Sequence, residues 1–502
     1  MMSRPEHLDL ARARDGESRS TEGEDPLVMF TTLKDFERVI DAGETVDEFA
    51  VDRVISDIDA MISAQIDEIV RHAKFKRLEA SWRGLWYLVN VGEGVEGVEI
   101  RFLSATWRQI CRDLERASSF DQSTLFQKIY EQEFGRAGGE PFGLLLGDFR
   151  VSHVEHARST IDDIAALGAL SEVAAAAFAP FIVAASPELL GVDSFTSLRP
   201  AVSERGPGLV GLAAPNFLND MRSNSTYKKW RELRAKPESR YLGVVLPDFL
   251  IRGQEYSETP DQRFLGRLQR EAPGREDQLW GSGVYAFGAT VIACYGRSGW
   301  FTDMRGARRD DPDGVLVPDL PPRAFETDAP GVAEIPPIEV EIDQVQAAAF
   351  DEAGLIVILR ATGTADLLFD SNCSLYSPQV TGSPSARSSA RLSTMLQYVL
   401  CVSRFAHYLK VLGRNQIGAG ATVASCQDGL QRWIRQYTTS DNEATPARLA
   451  ERPLRDAVVQ VQESPGHPGS FICTAQLKPH FQLDQIISSY EIVTNLAGPA
   501  VG

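Results

Sequence analysis

Residues 75–88 read Phe-Lys-Arg-Leu-Glu-Ala-Ser-Trp-Arg-Gly-Leu-Trp-Tyr-Leu, and no other stretch of the 502-residue chain says as much about its fold. Trp82 and Trp86 are four residues apart, so they share one face of a helix. With Leu78 and Leu85 they form an apolar set that we predict to pack in the protein core. Binding of a partner by these aromatic side chains is the less favoured alternative.

A long amphipathic helix is predicted immediately before this stretch. Apolar residues recur at intervals of three and four over residues 51–70, with Asp, Glu, Arg and Ser between them. The apolar face packs either on the protein's own core or, in part, against another subunit. The candidates for contact with a partner on this face are Val54, Ile58, Ile62 and Ile66.

The middle of the chain alternates strand and helix patterns. Apolar runs bounded by turn residues predict buried strands at 143–148, 181–185 and 241–246. An Ala-rich helix is predicted at 161–178, and a second strong helix at 389–412. This alternation indicates an α/β fold with layered sheets and helices.

Composition divides the chain into four predicted parts. Residues 1–50 begin with a polar stretch that has too little apolar surface to offset its ordering entropy, so they form a flexible arm. Residues 51–300 and 301–440 form the two parts of a body, with a Pro- and Gly-rich surface excursion or junction at 303–338. Residues 441–502 form a C-terminal hairpin arm.

The C-terminal arm has the period of a strand with two different faces. One face carries Phe471, Cys473, Ala475 and Leu477, and other residues alternate with them. A turn rich in Pro and Gly separates this strand from the apolar run 458–461, and a last strand is predicted near 488–494. The pattern predicts a hairpin, which either is internal or exchanges strands with a neighbour.

Charge and cysteine content exclude several classes of partner and compartment. Lys and Arg number 51 against 69 Asp and Glu, a formal charge of −18, which disfavours nucleic acid and anionic membranes as main partners. The six cysteines are scattered without a C-x-x-C pair, as is typical of reduced thiols in a cytosolic protein. No apolar run indicates a signal peptide or a membrane-spanning helix.

An α/β enzyme is the main rival class, but its motifs are missing. The chain has no G-x-x-x-x-G-K-[ST] and no G-x-S-x-G sequence. His153 and His156 are three residues apart but lack a third metal ligand nearby. We therefore predict no catalytic residues, no cofactor and no metal. Asp148 is expected to cap a turn or pair with an arginine, and His407 to be a hydrogen-bonded core histidine.

Several blocks of sequence resemble one known family in order and spacing. Besides residues 75–88 they include GLLLGDFRVSH at 143–153, AAAAFAPFIVAASPELLG at 174–191, RYLGVVLPDF at 240–249, ARLSTMLQYVLCVSRFAHYLK at 390–410 and LKPHF at 477–481. Through these blocks the chain resembles the large subunit of the type VI secretion contractile sheath, the TssC/VipB family. The resemblance covers roughly residues 45–495.

The resemblance implies a structural protein of the bacterial cytoplasm. Its implied partners are a small sheath subunit of the TssB/VipA type, further copies in a helical polymer, a tube of Hcp hexamers and a baseplate. Contraction would propel the tube, and a ClpV-type AAA+ unfoldase would recycle the sheath. The short, polar region before the long helix departs from the pattern of members that the unfoldase recognises. A phage-like or extracellular contractile sheath, which assembles without a small subunit, is the alternative.

The resemblance also implies a mixed α+β body in two subdomains, with terminal arms that exchange strands between protomers. The expected contact elements are residues 27–45, the 51–70 helix and the strands within 456–494. Arg404 and Lys410, on the second strong helix, are further candidates. They would meet an acidic surface of the tube or of a neighbouring protomer, or else lie on a solvated face.

Overall fold

The computed structural model describes residues 48–153, 162–198, 220–252, 278–302, 304, 306, 316–321, 335–362, 364–378, 390–441, 444–465, 471–480 and 490–496. The chain divides into two compact units. The first comprises residues 1–70 and 257–270, and its described part is a single helix. The second comprises residues 71–256 and 271–502 and contains the sheets.

The helices predicted at 51–70 and 161–178 are confirmed, and the helix predicted at 389–412 begins later, at Leu396. The helices are numbered along the chain. They are α1 (Glu48–Arg71), α2 (Ala73–Gly92), α3 (Trp107–Arg116), α4 (Thr124–Phe126), which continues into a π-helical stretch (Gln127–Phe134), α5 (Asp163–Ala177), α6 (Lys228–Ala235), α7 (Gly283–Ser298), α8 (Gln344–Glu352), α9 (Leu396–Gly418), α10 (Val423–Arg435) and α11 (Pro446–Glu451). None of these described helices is long and apolar enough to cross a membrane.

The strands form three sheets. They are β1 (Leu145–Val151), β2 (Phe181–Ala185), β3 (Leu242–Leu246), β4 (Phe249–Arg252), β5 (Leu279–Gly281), β6 (Ile356–Arg360), β7 (Leu367–Phe369), β8 (Leu454–Glu463), β9 (Phe471–Pro479) and β10 (Tyr490–Leu496). The orders are β1-β2-β3-β6-β7, β10-β9-β8 and β4-β5. The strands predicted at 143–148, 181–185 and 241–246 and the C-terminal hairpin are confirmed, as is the α/β class. Complete burial is confirmed for β2 and β3, whereas β1, at the edge of its sheet, is only partly buried.

The five-stranded sheet lies between two helical layers. Strands β1, β2, β3 and β6 pair in parallel, and β7 adds an antiparallel edge. Strand β2 is buried along its whole length because both of its faces are covered. The adjacent residues Ile182 and Val183 point to opposite faces and belong to different cores, one on each side of the sheet. One core includes α3, α5, α6 and α8, and the other includes α2 and α7.

A third core fills the C-terminal part of the second unit. It packs α9 and α10 against β8 and β9, with Trp300 stacked on Phe405 at 4.3 Å between ring centroids. Helix α9 contributes to this core from well before residue 441, so strands β8 and β9 pack against the chain that precedes them. Strand β3 pairs with β6 across residue 300, so the five-stranded sheet draws on both predicted parts of the body.

The six cysteines are free thiols, and all six are buried, as the sequence predicted.

Helix α2 packs against α7 through a glycine. A Cβ atom at Gly84 would lie 2.3 Å from Cε2 of Tyr285, much closer than real contacts allow. Gly92, near the end of the same helix, has its nearest neighbouring atoms at 3.8 Å. Only Gly84 is therefore required for the close approach of α2 and α7.

We predict that Gly84→Ala lowers the free energy of unfolding by about 1–3 kcal/mol, because the added methyl group overpacks the contact with Tyr285. The matched variant Gly92→Ala adds the same group where there is room, so its stability should equal or slightly exceed that of the parent chain. Chemical denaturation of the three proteins tests this. Equal stability of the two variants would contradict the packing described here.

Candidate assembly surfaces

Helix α1, taken by itself, exposes apolar side chains along its length. Met61 is 72% exposed and Ile69 54%, while Ile62 is 39% exposed. Ile58 and Ile66 are half-buried. Val54 lies within the helix, but its side chain is outside the described set. The amphipathic helix is confirmed, and its contact with a partner stays a prediction.

Helix α2 has two apolar faces, only one of which is covered. Gly84, Tyr87 and Leu88 are buried against the body. Trp82 and Trp86, on the opposite face, are 56% and 62% exposed. The prediction that the two tryptophans pack in the core is therefore wrong. The helical period was correct, but the smaller Gly84 lets the other face approach α7 closely.

The exposed face of α2 is a continuous stripe. Phe75, Leu78, Trp82, Trp86 and Val89 are separated by steps of three or four residues, and each is at least 38% exposed. This mean spacing of 3.5 residues is typical of helices that pack against another helix. We call these five residues the aromatic stripe.

Two further apolar side chains extend the aromatic stripe. Phe102 and Leu103 are 63% and 52% exposed, and the ring of Phe102 lies 5.7 Å from that of Trp82. Exposed apolar patches of this extent are uncommon on monomers and usually mark sites of interaction.

Polar contacts hold α2 firmly on the body. The Glu79 carboxylate pairs with Arg252 at 2.8 Å and with Arg83 at 2.7 Å. The Tyr87 hydroxyl donates to the carbonyl oxygen of Pro318. The aromatic stripe is thus presented by an anchored helix, which lowers the conformational entropy that a partner must remove on binding.

Asp148 takes part in the same anchoring. It lies at a β-bulge of β1 and accepts hydrogen bonds from the hydroxyls of Ser81 and Tyr285, the latter at 3.1 Å. The neighbouring Arg150 pairs instead with the buried Asp248. The expected turn cap or arginine pair of Asp148 is wrong, since hydroxyl groups from α2 and α7 hold the carboxylate.

The C-terminal sheet places the four strand candidates inside the subunit. Phe471, Cys473, Ala475 and Leu477 are at most 6% exposed and belong to the third core. Strand β9, which carries them, is the central strand and pairs with β8 and β10. Their side chains therefore stabilise the subunit's own fold. A neighbour's strand would have to join at an outer strand of this sheet.

Arg404 and Lys410 also lie among the subunit's own aromatic residues. The guanidinium of Arg404 is 4.6 Å from the ring centroid of Tyr408. Lys410 is 7% exposed, and its Nζ lies 3.6 Å from the ring centroid of Phe134 and 4.9 Å from that of Tyr130. Burial, together with the smaller effect of the Arg414 charge, lowers the pKa of Lys410 to about 8. Lys410 is therefore an internal cation and does not lie on a solvated face.

His407 on the same helix is a core histidine, as predicted. It is 2% exposed, and its Nε2 lies 2.9 Å from the carbonyl oxygen of Ala177 at the end of α5. Burial lowers its pKa to about 4. The other histidine with a proposed role, His153, stacks on Tyr227 at 4.0 Å between ring centroids, and His156 lies outside the described residues.

Across the described residues, no three His, Cys, Asp or Glu side chains are grouped so that they could hold a metal ion.

Two family models match consecutive parts of the chain. The tail sheath N-terminal domain of VipB (EvpB/VC_A0108) matches residues 52–376, and the tail sheath gpW/gp25-like domain of the same family matches residues 385–496. The chain belongs to the VipB tail sheath family. The second match begins shortly before α9 and contains α9, α10, β8 and β9, which form most of the third core.

A curated relative supports the same assignment. The chain is similar to the type VI secretion system sheath protein TssC1 of Pseudomonas aeruginosa strain PAO1, with 32% identity over 451 residues. The alignment covers 89% of this chain and 86% of the relative. This VipB-family chain is a structural subunit of a type VI secretion contractile sheath.

The buried lysine gives a test of the α9 environment. In an unfolded chain lysine has a pKa near 10.4, so between about pH 8 and 10.4 the unfolded state binds a proton that folded Lys410 has lost. The free energy of unfolding of the parent chain should therefore rise over this range relative to that of Lys410→Met. The other titratable or charged side chains around this ammonium group are Tyr130, Arg414 and His407.

Denaturation of both proteins from pH 7 to pH 10 measures this difference. The control is Lys128→Met, which removes an exposed lysine of the π-helical stretch. Its stability relative to the parent should not change with pH. If the difference in free energy of unfolding between the parent and Lys410→Met were also independent of pH, the lowered pKa of Lys410 would be contradicted.

Proposed function

We propose that this chain is the large sheath subunit and that it polymerises only together with a small sheath subunit. Membership in the VipB family supports assembly with a small subunit and self-polymerisation. The polymer would form in the bacterial cytoplasm on a baseplate, surround a tube of Hcp hexamers and propel it by contraction. The role is mechanical, and no catalytic step is assigned to the chain.

The aromatic stripe is the observation that carries this proposal. An anchored helix that exposes two tryptophans is suited to receive an amphipathic helix, whose apolar residues would fill the spaces between the stripe residues. Burial of each half-exposed tryptophan would contribute on the order of 2 kcal/mol. We propose that this helix belongs to the small subunit. Lys74 and Arg77 near the start of α2 favour acidic residues at the corresponding end of that helix.

Two other contacts belong to the same proposal. The apolar face of α1, with Ile58, Ile62 and Ile66, contacts a further sheath subunit. The C-terminal sheet receives a strand from a neighbour, which links subunits through main-chain hydrogen bonds while rigid bodies repack during contraction. Removal of the spent polymer by a ClpV-type unfoldase would then use a segment other than the polar N-terminal region.

The test of two-component assembly is electron microscopy of the chain purified alone and after co-expression with the small subunit. We expect hollow tubules only on co-expression. Tubules from the chain alone would support the phage-like alternative. A discrete oligomer in both preparations would overturn the sheath proposal.

The aromatic stripe can be tested by substitution. We predict that Trp82→Glu with Trp86→Glu weakens binding of the purified small subunit by about a hundredfold or more, because central tryptophans dominate such interfaces. The fold should be retained, since both side chains are more than half exposed. Binding is measured by calorimetry, and retention of the fold by thermal denaturation.

The control is Val345→Glu, which introduces one glutamate at a side chain that is 75% exposed on α8, away from α2 in sequence. It should bind the small subunit as the parent does. Unchanged affinity of the tryptophan variant would remove the stripe from the interface.

A further inference from the structure

Strand β8 is an outer strand of the C-terminal sheet, but its outer edge is not open. In the order β10-β9-β8, half of the peptide groups of β8 point away from β9. Exposed edges of this kind attract strands of other chains, and proteins commonly cover them. Here the chain itself provides partners for the outward groups.

The first part of the edge is covered by main chain. The segment that follows α10 forms a parallel bridge to β8 between Thr438 and Leu454. The amide of Leu454 donates to the carbonyl oxygen of Tyr437 at 3.2 Å. The amide of Thr439 donates to the carbonyl oxygen of Leu454 at 2.9 Å.

The next part is covered by two glutamines of α10. The Oε1 of Gln431 accepts from the amide of Val459 at 2.8 Å, and its Nε2 donates to the carbonyl oxygen of Ala457 at 2.9 Å. The Oε1 of Gln427 accepts from the amide of Val461 at 3.0 Å. A glutamine side chain ends in an amide group like that of the main chain. Gln431 therefore replaces a whole peptide group of a missing strand, and Gln427 replaces the carbonyl of another.

The spacing of the two glutamines suits this role. Four residues of a helix rise by about 6 Å, and two residues of a strand by about 6.7 Å. Glutamines four residues apart on α10 can therefore reach amides two residues apart on β8. Strand β10, at the opposite side of the sheet, pairs only with β9 among the described strands.

We propose that Gln427 and Gln431 seal the β8 edge against strand addition, so that a neighbouring subunit adds its strand at the β10 edge alone. The part concerning β10 rests on the strand exchange proposed above. The seal itself is a property of the free chain. It keeps a concentrated subunit from pairing edge to edge before it meets its proper neighbour.

The seal is tested with the double variant Gln427→Leu, Gln431→Leu. Its matched control is Gln460→Leu, Gln462→Leu, which makes the same two changes at exposed positions on β8 itself. Hydrogen exchange of the purified chain should show the amides of Val459 and Val461 exchanging about tenfold faster or more in the seal variant and unchanged in the control. Size-exclusion chromatography with light scattering should show concentration-dependent self-association of the seal variant only.

Protected amides at Val459 and Val461 in the seal variant, or an unchanged size, would overturn the seal. The amides of the central strand β9 report whether the sheet is still folded. Should they also lose protection, the single variant Gln431→Met is used, because it keeps the side-chain length and removes only the hydrogen bonds to Ala457 and Val459.

The choice of edge is tested in the co-assembled polymer. A photo-crosslinking residue at Thr494 of β10 should capture a neighbouring subunit, and one at Gln462 of β8 should not. Capture from β8 would overturn the proposal. The hydrogen-exchange and size measurements use the free chain and need no polymer. A failure to co-assemble would therefore count against the proposed function, and the seal would still be decided by the measurements on the free chain.

Discussion

The burial of helix α9 is the constraint on which both halves of the second unit depend. Its first residues, Leu396 and Leu400, pack beneath the five-stranded sheet, while Tyr398 and Phe405 pack in the C-terminal core. A helix that is covered on nearly every side must satisfy its polar residues internally. His407 does so through the end of α5, so the same helix also joins the opposite layer of the sheet.

Because of this arrangement, moving the C-terminal sheet relative to the body would cost much free energy. A shift of α9 would expose apolar surface in two cores and leave buried polar groups without partners. Lys410 is tolerated there because the rings of Tyr130 and Phe134 face its ammonium group. A sheath that transmits force through its subunits requires such rigidity, since changes must occur between subunits and not within them.

Sequence patterns predicted the elements well and their partners less well. The strands at 181–185 and 242–246 and the helix at 163–177 follow from apolar runs and caps that local chemistry determines. The exposure of Trp82 does not follow from the sequence pattern. Helix α2 has two apolar faces, and a period of 3.6 residues does not distinguish the covered face from the exposed one. The signal that could have decided it was Gly84, whose missing side chain permits a close approach only on its own face. The pairing of β3 with β6 across residue 300 is likewise a long-range contact that no local pattern contains.

Gln427 and Gln431 show even more clearly that a local sequence pattern does not reveal long-range contacts. Polar residues on a helix ordinarily face solvent, and nothing in the spacing of these two glutamines distinguishes them from an ordinary hydrated surface. Only the fold shows that α10 runs beside an outer strand whose amides need partners. A polymer subunit must bind its neighbours strongly at some surfaces and must not bind them at other surfaces of similar chemistry. In our proposal the aromatic stripe supplies affinity. Order in a helical lattice also requires that the hydrogen-bonding groups of the other strand edges have partners within the subunit, because main-chain hydrogen bonds carry no sequence information of their own.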